Sequence, residues 1–183
     1  NILIGGNADD STGIWLNMNS NNVAIFNNSI QSGHAAAVNA YSVRISTGCN
    51  NTRIINNIIY TVGAGSRYGV YEGAAINPAQ LTNNNIFDCP TALYFDNANG
   101  PLVDILDVND LAMTGSPISQ DNVSFVLSLN ADLRIISVFP TVVTQGGLDL
   151  TPEPIFPLNP AGNRCDRDLA IRTAPWSMGA YEY

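Results

Sequence analysis

Val23-Ala24-Ile25-Phe26-Asn27-Asn28-Ser29-Ile30 is the first of three copies of one pattern. The second is Thr52-Arg53-Ile54-Ile55-Asn56-Asn57-Ile58-Ile59 and the third is Ala79-Gln80-Leu81-Thr82-Asn83-Asn84-Asn85-Ile86. Each copy has an aliphatic residue, one intervening position, Asn-Asn, a second intervening position and an isoleucine. The Asn pair recurs after 29 residues and again after 27. Short apolar runs lie between the copies, among them Gly13-Ile14-Trp15-Leu16, Ala35-Ala36-Ala37-Val38, Gly69-Val70-Tyr71 and Ala92-Leu93-Tyr94-Phe95.

No window places apolar residues convincingly at i, i+3, i+4 and i+7, so amphipathic helices are not expected. β-Branched runs broken by Asn, Ser and Gly read as strands and turns. One coil of this length cannot bury its own apolar face, whereas stacked coils can. Equivalent positions in such a stack lie about 4.8 Å apart. Asparagine suits the turns because it tolerates the left-handed backbone region. Its amide can also donate to and accept from the amide one coil away, which makes a ladder. Asn27, Asn28, Asn56, Asn57, Asn83 and Asn84 are the expected ladder residues, with isoleucines stacked beside them. The expected fold is all-β: a right-handed parallel β-helix, or solenoid, with an irregular C-terminal capping segment. An asparagine-rich β-sandwich is the alternative.

The pattern resembles the parallel β-helix repeat of the pectate-lyase-like superfamily, and the resemblance covers residues 1–100. Composition shifts after Gly100. Of the 24 asparagines 19 lie in the first 100 residues, whereas eight of the ten prolines lie in the last 83. Residues 101–183 are therefore expected to form irregular last coils and a Pro-rich cap within the same domain. Val123 to Leu129 and Leu133 to Phe139 read as strands, and Pro-rich 151–160 reads as a closure, because proline cannot donate to a ladder. Asp166-Arg167-Asp168 and the terminal Met178-Gly179-Ala180-Tyr181-Glu182-Tyr183 resemble the close of secreted bacterial β-helix surface proteins. That resemblance implies an extracellular or cell-surface location.

Composition narrows the partners. The net charge is −8 and all seven basic residues are arginine. Such a chain lacks the basic patch that nucleic acid or an anionic membrane requires. No apolar run is long enough to span a bilayer. The chain opens on Asn1-Ile2-Leu3-Ile4-Gly5-Gly6 with no visible signal peptide, so a mature, trimmed or fragmentary form is expected. Cys49, Cys89 and Cys165 are too few for a disulfide scaffold. One disulfide with a free thiol and three buried thiols both remain open. Asn27, Asn50 and Asn122 begin N-x-[ST] sequons, which arise readily by chance in so asparagine-rich a chain.

Three sets of residues are candidates for chemistry. Asp9-Asp10, Gly33-His34 and Arg44-Ile45 resemble the D-D, G-H-G and R-I-K elements of polygalacturonase-like hydrolases, in which clustered carboxylates serve as acid and base. Ser46 stands where those enzymes have lysine, the N-T-D element is missing, and the interval from His34 to Arg44 puts both on one coil. A solvated turn for Asp9-Asp10 and a hydrogen-bonded turn for His34 is the competing reading. Asp104, Asp107 and Asp110 form an acidic window that would suit Ca²⁺, although it matches no EF-hand loop; no other cofactor is expected. Trp15, Tyr41, Tyr68, Tyr71 and Tyr94 would serve a sugar if they shared an outer face. The leading expectation is a non-catalytic, adhesin-like scaffold that associates with polysaccharide or another surface glycan. A fragment of a lyase or glycoside hydrolase acting on acidic polysaccharide, and a self-associating filament or envelope-layer subunit, are the alternatives.

Overall fold

The computed structural model describes residues 1–74, 76–111, 119–129, 131, 133, 135, 143, 146–148, 150, 178 and 179. The strands come in repeating sets of three. The first coil holds β1 (Ile2–Ile4), β2 (Asp10–Leu16) and β3 (Ala24–Phe26). The second holds β4 (Ser29–Ser32), β5 (Asn39–Ile45) and β6 (Arg53–Ile55). The third holds β7 (Ile58–Thr61), β8 (Ser66–Glu72) and β9 (Gln80–Thr82). A fourth coil begins with β10 (Asn85–Phe87) and β11 (Ala92–Asp96), and then turns back in β12 (Gly100–Leu102) and a short helix α1 (Ile105–Asn109).

Each strand pairs in parallel with its counterpart one coil away. This gives sheet A (β1-β4-β7-β10), sheet B (β2-β5-β8-β11, with β12 antiparallel at its edge) and sheet C (β3-β6-β9). The result is a parallel β-solenoid of about three turns. Its register follows the repeat: Ala24 pairs with Arg53 and Arg53 with Gln80.

The parallel register stacks like on like. Leu3, Ile30, Ile59 and Ile86 form one inward column, Ile25, Ile54 and Leu81 a second, and Ile14, Val43, Val70 and Tyr94 a third. Ile30, Ile54, Ile59, Leu81 and Ile86 are fully buried, and each contributes ~1.5–3 kcal/mol of hydrophobic stabilisation.

The two asparagines of each pair divide the work. Asn27, Asn56 and Asn83 adopt left-handed φ of 51°, 58° and 53° and turn the chain from sheet C to sheet A. Asn28, Asn57 and Asn84 form the amide ladder. Asn28 Nδ2 donates to Asn57 Oδ1 (3.0 Å), and Asn57 Nδ2 donates to Asn84 Oδ1 (2.9 Å). Asn1 extends it at one end, donating to Asn28 Oδ1 (3.0 Å). At the other end Asn84 donates to Asn122 Oδ1 (2.9 Å), and Asn122 N and Nδ2 both donate to Asn109 Oδ1 (3.0 and 2.9 Å). Asp121, at φ 55°, takes the place of the first asparagine in this fourth copy. The expected six-residue ladder is thus corrected: three of the six carry it, joined by Asn1, Asn122 and Asn109.

Residues beyond Gly100 cover both the end and a flank. Val108 on α1 is fully buried, and Ile105, Val108 and Leu111 pack on the core at the end of the stack. Leu127, Leu133, Ile135, Val143 and Met178 join Ile58, Tyr60 and Phe87 in a second apolar cluster on the outward side of sheet A. Gly179 N donates to Asn56 O (2.6 Å). The expected strand 123–129 provides only isolated bridges, Val123 to Asn85 and Leu129 to Ile135. The Pro-rich stretch 151–160, residues 166–168 and 180–183, and Cys165 lie outside the described residues. Among the described residues no helix is long and apolar enough to cross a membrane.

Candidate functional site

The outward face of sheet B gathers most of the expected aromatic set. Parallel pairing aligns Thr12 with Tyr41 and Tyr68, and Trp15 with Arg44, Tyr71 and Phe95. Gly13 and Gly69 sit between these two columns and face the core. A Cβ on Gly13 would lie 2.7 Å from Ile30 Cγ2, and one on Gly69 2.6 Å from Ile86 Cγ2. Small inward residues here interrupt strict alternation, so side chains three apart, Tyr41 and Arg44 or Tyr68 and Tyr71, share the outer face.

The rings form a ladder of their own. Tyr41 and Tyr68 stack at 5.2 Å with planes 8° apart, and Tyr71 and Phe95 stack at 4.8 Å with planes 16° apart. Edge contacts of 4.9 Å between Tyr41 and Tyr71 and 5.1 Å between Tyr68 and Tyr71 join the columns. Arg44 lies among them, its guanidinium carbon 4.8 Å from the Tyr41 ring centre, 5.2 Å from Trp15 and 5.9 Å from Tyr71. Trp15 donates Nε1–H to Ser46 Oγ (2.8 Å), which orients an indole that is 54% exposed.

Because the tyrosine rings cover one another's faces, their edges carry what remains available. The hydroxyls of Tyr41, Tyr68 and Tyr71 make no hydrogen bond among the described residues. Burial, then the nearby Asp10 carboxylate, pushes the Tyr41 phenol above its ordinary value of 10.0 against the opposing pull of Arg44. It therefore stays a neutral O–H donor near neutral pH. The face offers phenolic donor–acceptors, one guanidinium and one exposed indole.

Tyr94 is not part of this face. It points inward, is fully buried, and donates its hydroxyl to the Glu72 carboxyl. Phe95, the next residue, takes the outward place. Glu72 is itself fully buried and follows Leu16 and Ile45 in an inward column. Burial raises its carboxyl, with hydrogen bonds from Tyr94 and Asn97 N (3.1 Å) opposing. Asp96 accepts from Ala98 N (2.7 Å), Asn99 N (3.2 Å) and Asn99 Nδ2 (2.7 Å), which fixes the turn into β12.

The hydrolase-like set is not brought together. Asp10 pairs with Asn39 in register and accepts its Nδ2–H (2.7 Å). Arg44 lies five residues farther along β5, roughly 16 Å away at the usual strand rise. His34 Nδ1 accepts from Ala36 N (3.3 Å), which leaves Nε2–H to donate to Ala8 O (2.9 Å). Asp9 contributes its backbone carbonyl to Val38 N and Asn39 N (2.9 Å each). These residues hold a turn, which is the competing reading of the sequence.

The acidic window around α1 is likewise used locally. Asp104 caps the helix by accepting from Leu106 N (2.8 Å), Asp107 sits in its first turn, and Asp110 is its C-cap. Among the described residues no three His, Cys, Asp or Glu side chains converge as a metal site. Cys49 and Cys89 are buried free thiols, and burial pushes Cys89 up to about 12. Of the sequon asparagines Asn27 and Asn122 are buried, and Asn50 is exposed. Comparison with protein-family models, curated proteins and solved structures returns no match.

Proposed function

We propose that this chain is a non-catalytic, surface-displayed β-helix module that associates with glycans through the outer face of sheet B. The observation that carries the reading is the assembly of Trp15, Tyr41, Tyr68, Tyr71 and Phe95 around Arg44 on one outward surface. Sugars combine apolar C–H faces with dense hydroxyls, and this surface offers an exposed indole beside a row of hydrogen-bonding edges. A rigid sheet holds these groups in place at little entropic cost. The acidic, lysine-free composition fits an extracellular surface role and disfavours nucleic-acid partners. The five-residue offset along β5 between Arg44 and Asn39, the register partner of Asp10, supports the non-catalytic reading over a lyase or hydrolase fragment.

The test is a panel of immobilised glycans probed with the parent, Trp15→Ala and Tyr71→Ala. Retention of the parent on a subset of glycans, weakened in both variants, is expected. Reducing-end or unsaturated-product assays run alongside, and robust turnover of any panel member overturns the non-catalytic part.

Self-association has one observation in its favour. Among the described residues β1, β2 and β3 each pair with one strand, and parallel strands at a sheet edge can pair with another chain. Light scattering and electron microscopy test it, and a monomer at every concentration counts against it.

A further inference from the structure

We infer that Arg44 makes the sheet B face an anion-reading site, so that its glycan carries an acidic substituent, either a carboxylate or a sulfate ester; the inference rests on the glycan reading above. Arg44 is half-buried, and its Nε is fully occluded with no hydrogen-bond partner. Among the described residues no carboxylate pairs with it, although the chain carries 15 acidic residues against seven arginines. A cation partly withdrawn from water is costly unless a counter-charge meets it. Its neighbours are instead the rings of Trp15, Tyr41 and Tyr71. Aromatic faces hold a guanidinium by cation–π attraction without using its in-plane donors. The terminal Nη donors are thus positioned but make no hydrogen bond among the described residues.

An oxyanion with two acceptor oxygens matches that fork, as both carboxylates and sulfate esters do. The neighbouring Tyr41, Tyr68 and Tyr71 hydroxyls would meet sugar hydroxyls beside it, and the exposed Trp15 ring would take a C–H face. A polyanion has no general attraction to a chain of net charge −8. Binding of one therefore reports a local cationic site.

The experiment is affinity electrophoresis of the full chain through gels containing dextran, carboxymethyl dextran or dextran sulfate, which share a backbone and differ in the anion. Retardation by at least one charged polymer, about tenfold stronger than by dextran, is expected, and the arm that retards identifies the anion. Arg44→Gln should weaken that retardation about tenfold or more, as loss of a charge-assisted hydrogen bond implies. Arg44→Lys should keep part of it. Added salt should weaken parent binding to the charged polymer, a readout that stands even where Arg44→Gln fails to fold. Equal retardation by dextran and the charged polymers overturns the inference, as does unchanged binding by folded Arg44→Gln or no retardation by either charged polymer. If the glycan panel still shows Trp15-dependent binding to neutral sugars in any of these cases, the glycan reading survives and only the anion inference falls.

Discussion

Replacing Asn57 with alanine removes the middle rung of the buried ladder, and its cost can be worked from the bonds it makes. Asn57 Oδ1 accepts from Asn28 N (2.9 Å) and Asn28 Nδ2 (3.0 Å). Its Nδ2 donates to Asn84 Oδ1 (2.9 Å), Ile25 O (2.8 Å) and Ile55 O (3.0 Å). In Asn57→Ala the two Asn28 donors lose their acceptor inside a core where Asn57 is fully buried. An orphaned buried group costs ~1–3 kcal/mol, so two cost about 2–6 kcal/mol. That is a large part of a domain stability of about 5–15 kcal/mol. Asn21 provides the control: its Oδ1 accepts from Asn50 N (2.9 Å) one coil away, but both residues are exposed. Water replaces that bond, and Asn21→Ala should cost about 0.5 kcal/mol or less. Urea unfolding followed by circular dichroism measures both, with unchanged slopes confirming a common transition. If Asn57→Ala lies within about 1 kcal/mol of Asn21→Ala, the ladder is not a stabilising element and the reasoning fails.

Three further predictions concern other parts of the stack. Asn109→Ala leaves Asn122 N without its acceptor, whereas Asn122 Nδ2 keeps Leu81 O, so the change should cost about 1–3 kcal/mol; hydrogen exchange should quicken around residues 104–111 and 119–123 while the β4–β7 region stays protected, and uniform quickening would contradict the local role. Burial raises the Glu72 carboxyl above its ordinary 4.5 in the folded chain, so its contribution to stability is complete below that value and is lost as pH rises through the raised one. Because glutamine can pair with both Tyr94 and Asn97 N, Glu72→Gln should remove this pH dependence from thermal melts, and parallel parent and variant curves would refute it. Cys49 and Cys89 should resist alkylation in the native chain and react on unfolding, as peptide mapping would show; native-state labelling of Cys89, whose thiol sits at about 12, would be inconsistent with its burial.

Much of this architecture is legible in the sequence, for identifiable reasons. The Asn-Asn pairs stand out because a turn that needs both a left-handed backbone and a laddering amide admits few residue types. Which asparagine does which is not legible, since both are the same residue. The fourth copy, Asp121-Asn122, escapes the pattern because aspartate also fits the left-handed position and because β12 and α1 lengthen the interval from Asn84 to 38 residues. Helix α1 is five residues long, too short to show a period. The aromatic residues of sheet B are conspicuous in the chain, but their sides are not. The inward glycines Gly13 and Gly69 break strict alternation, so counting by twos does not tell Tyr94, inside, from Phe95, outside. The hydrolase-like residues matched by type alone, whereas acid–base chemistry requires convergence, and that depends on the coil register.

The most direct test of the glycan-binding face is nuclear magnetic resonance titration of the labelled chain with whichever glycan the panel retains. The Trp15 Nε1–H and the ring signals of Tyr41, Tyr68, Tyr71 and Phe95 should shift together, while the Asn28, Asn57 and Asn84 amides stay in place. Shifts that map elsewhere, or saturating binding that leaves these five aromatic residues unmoved, would contradict it.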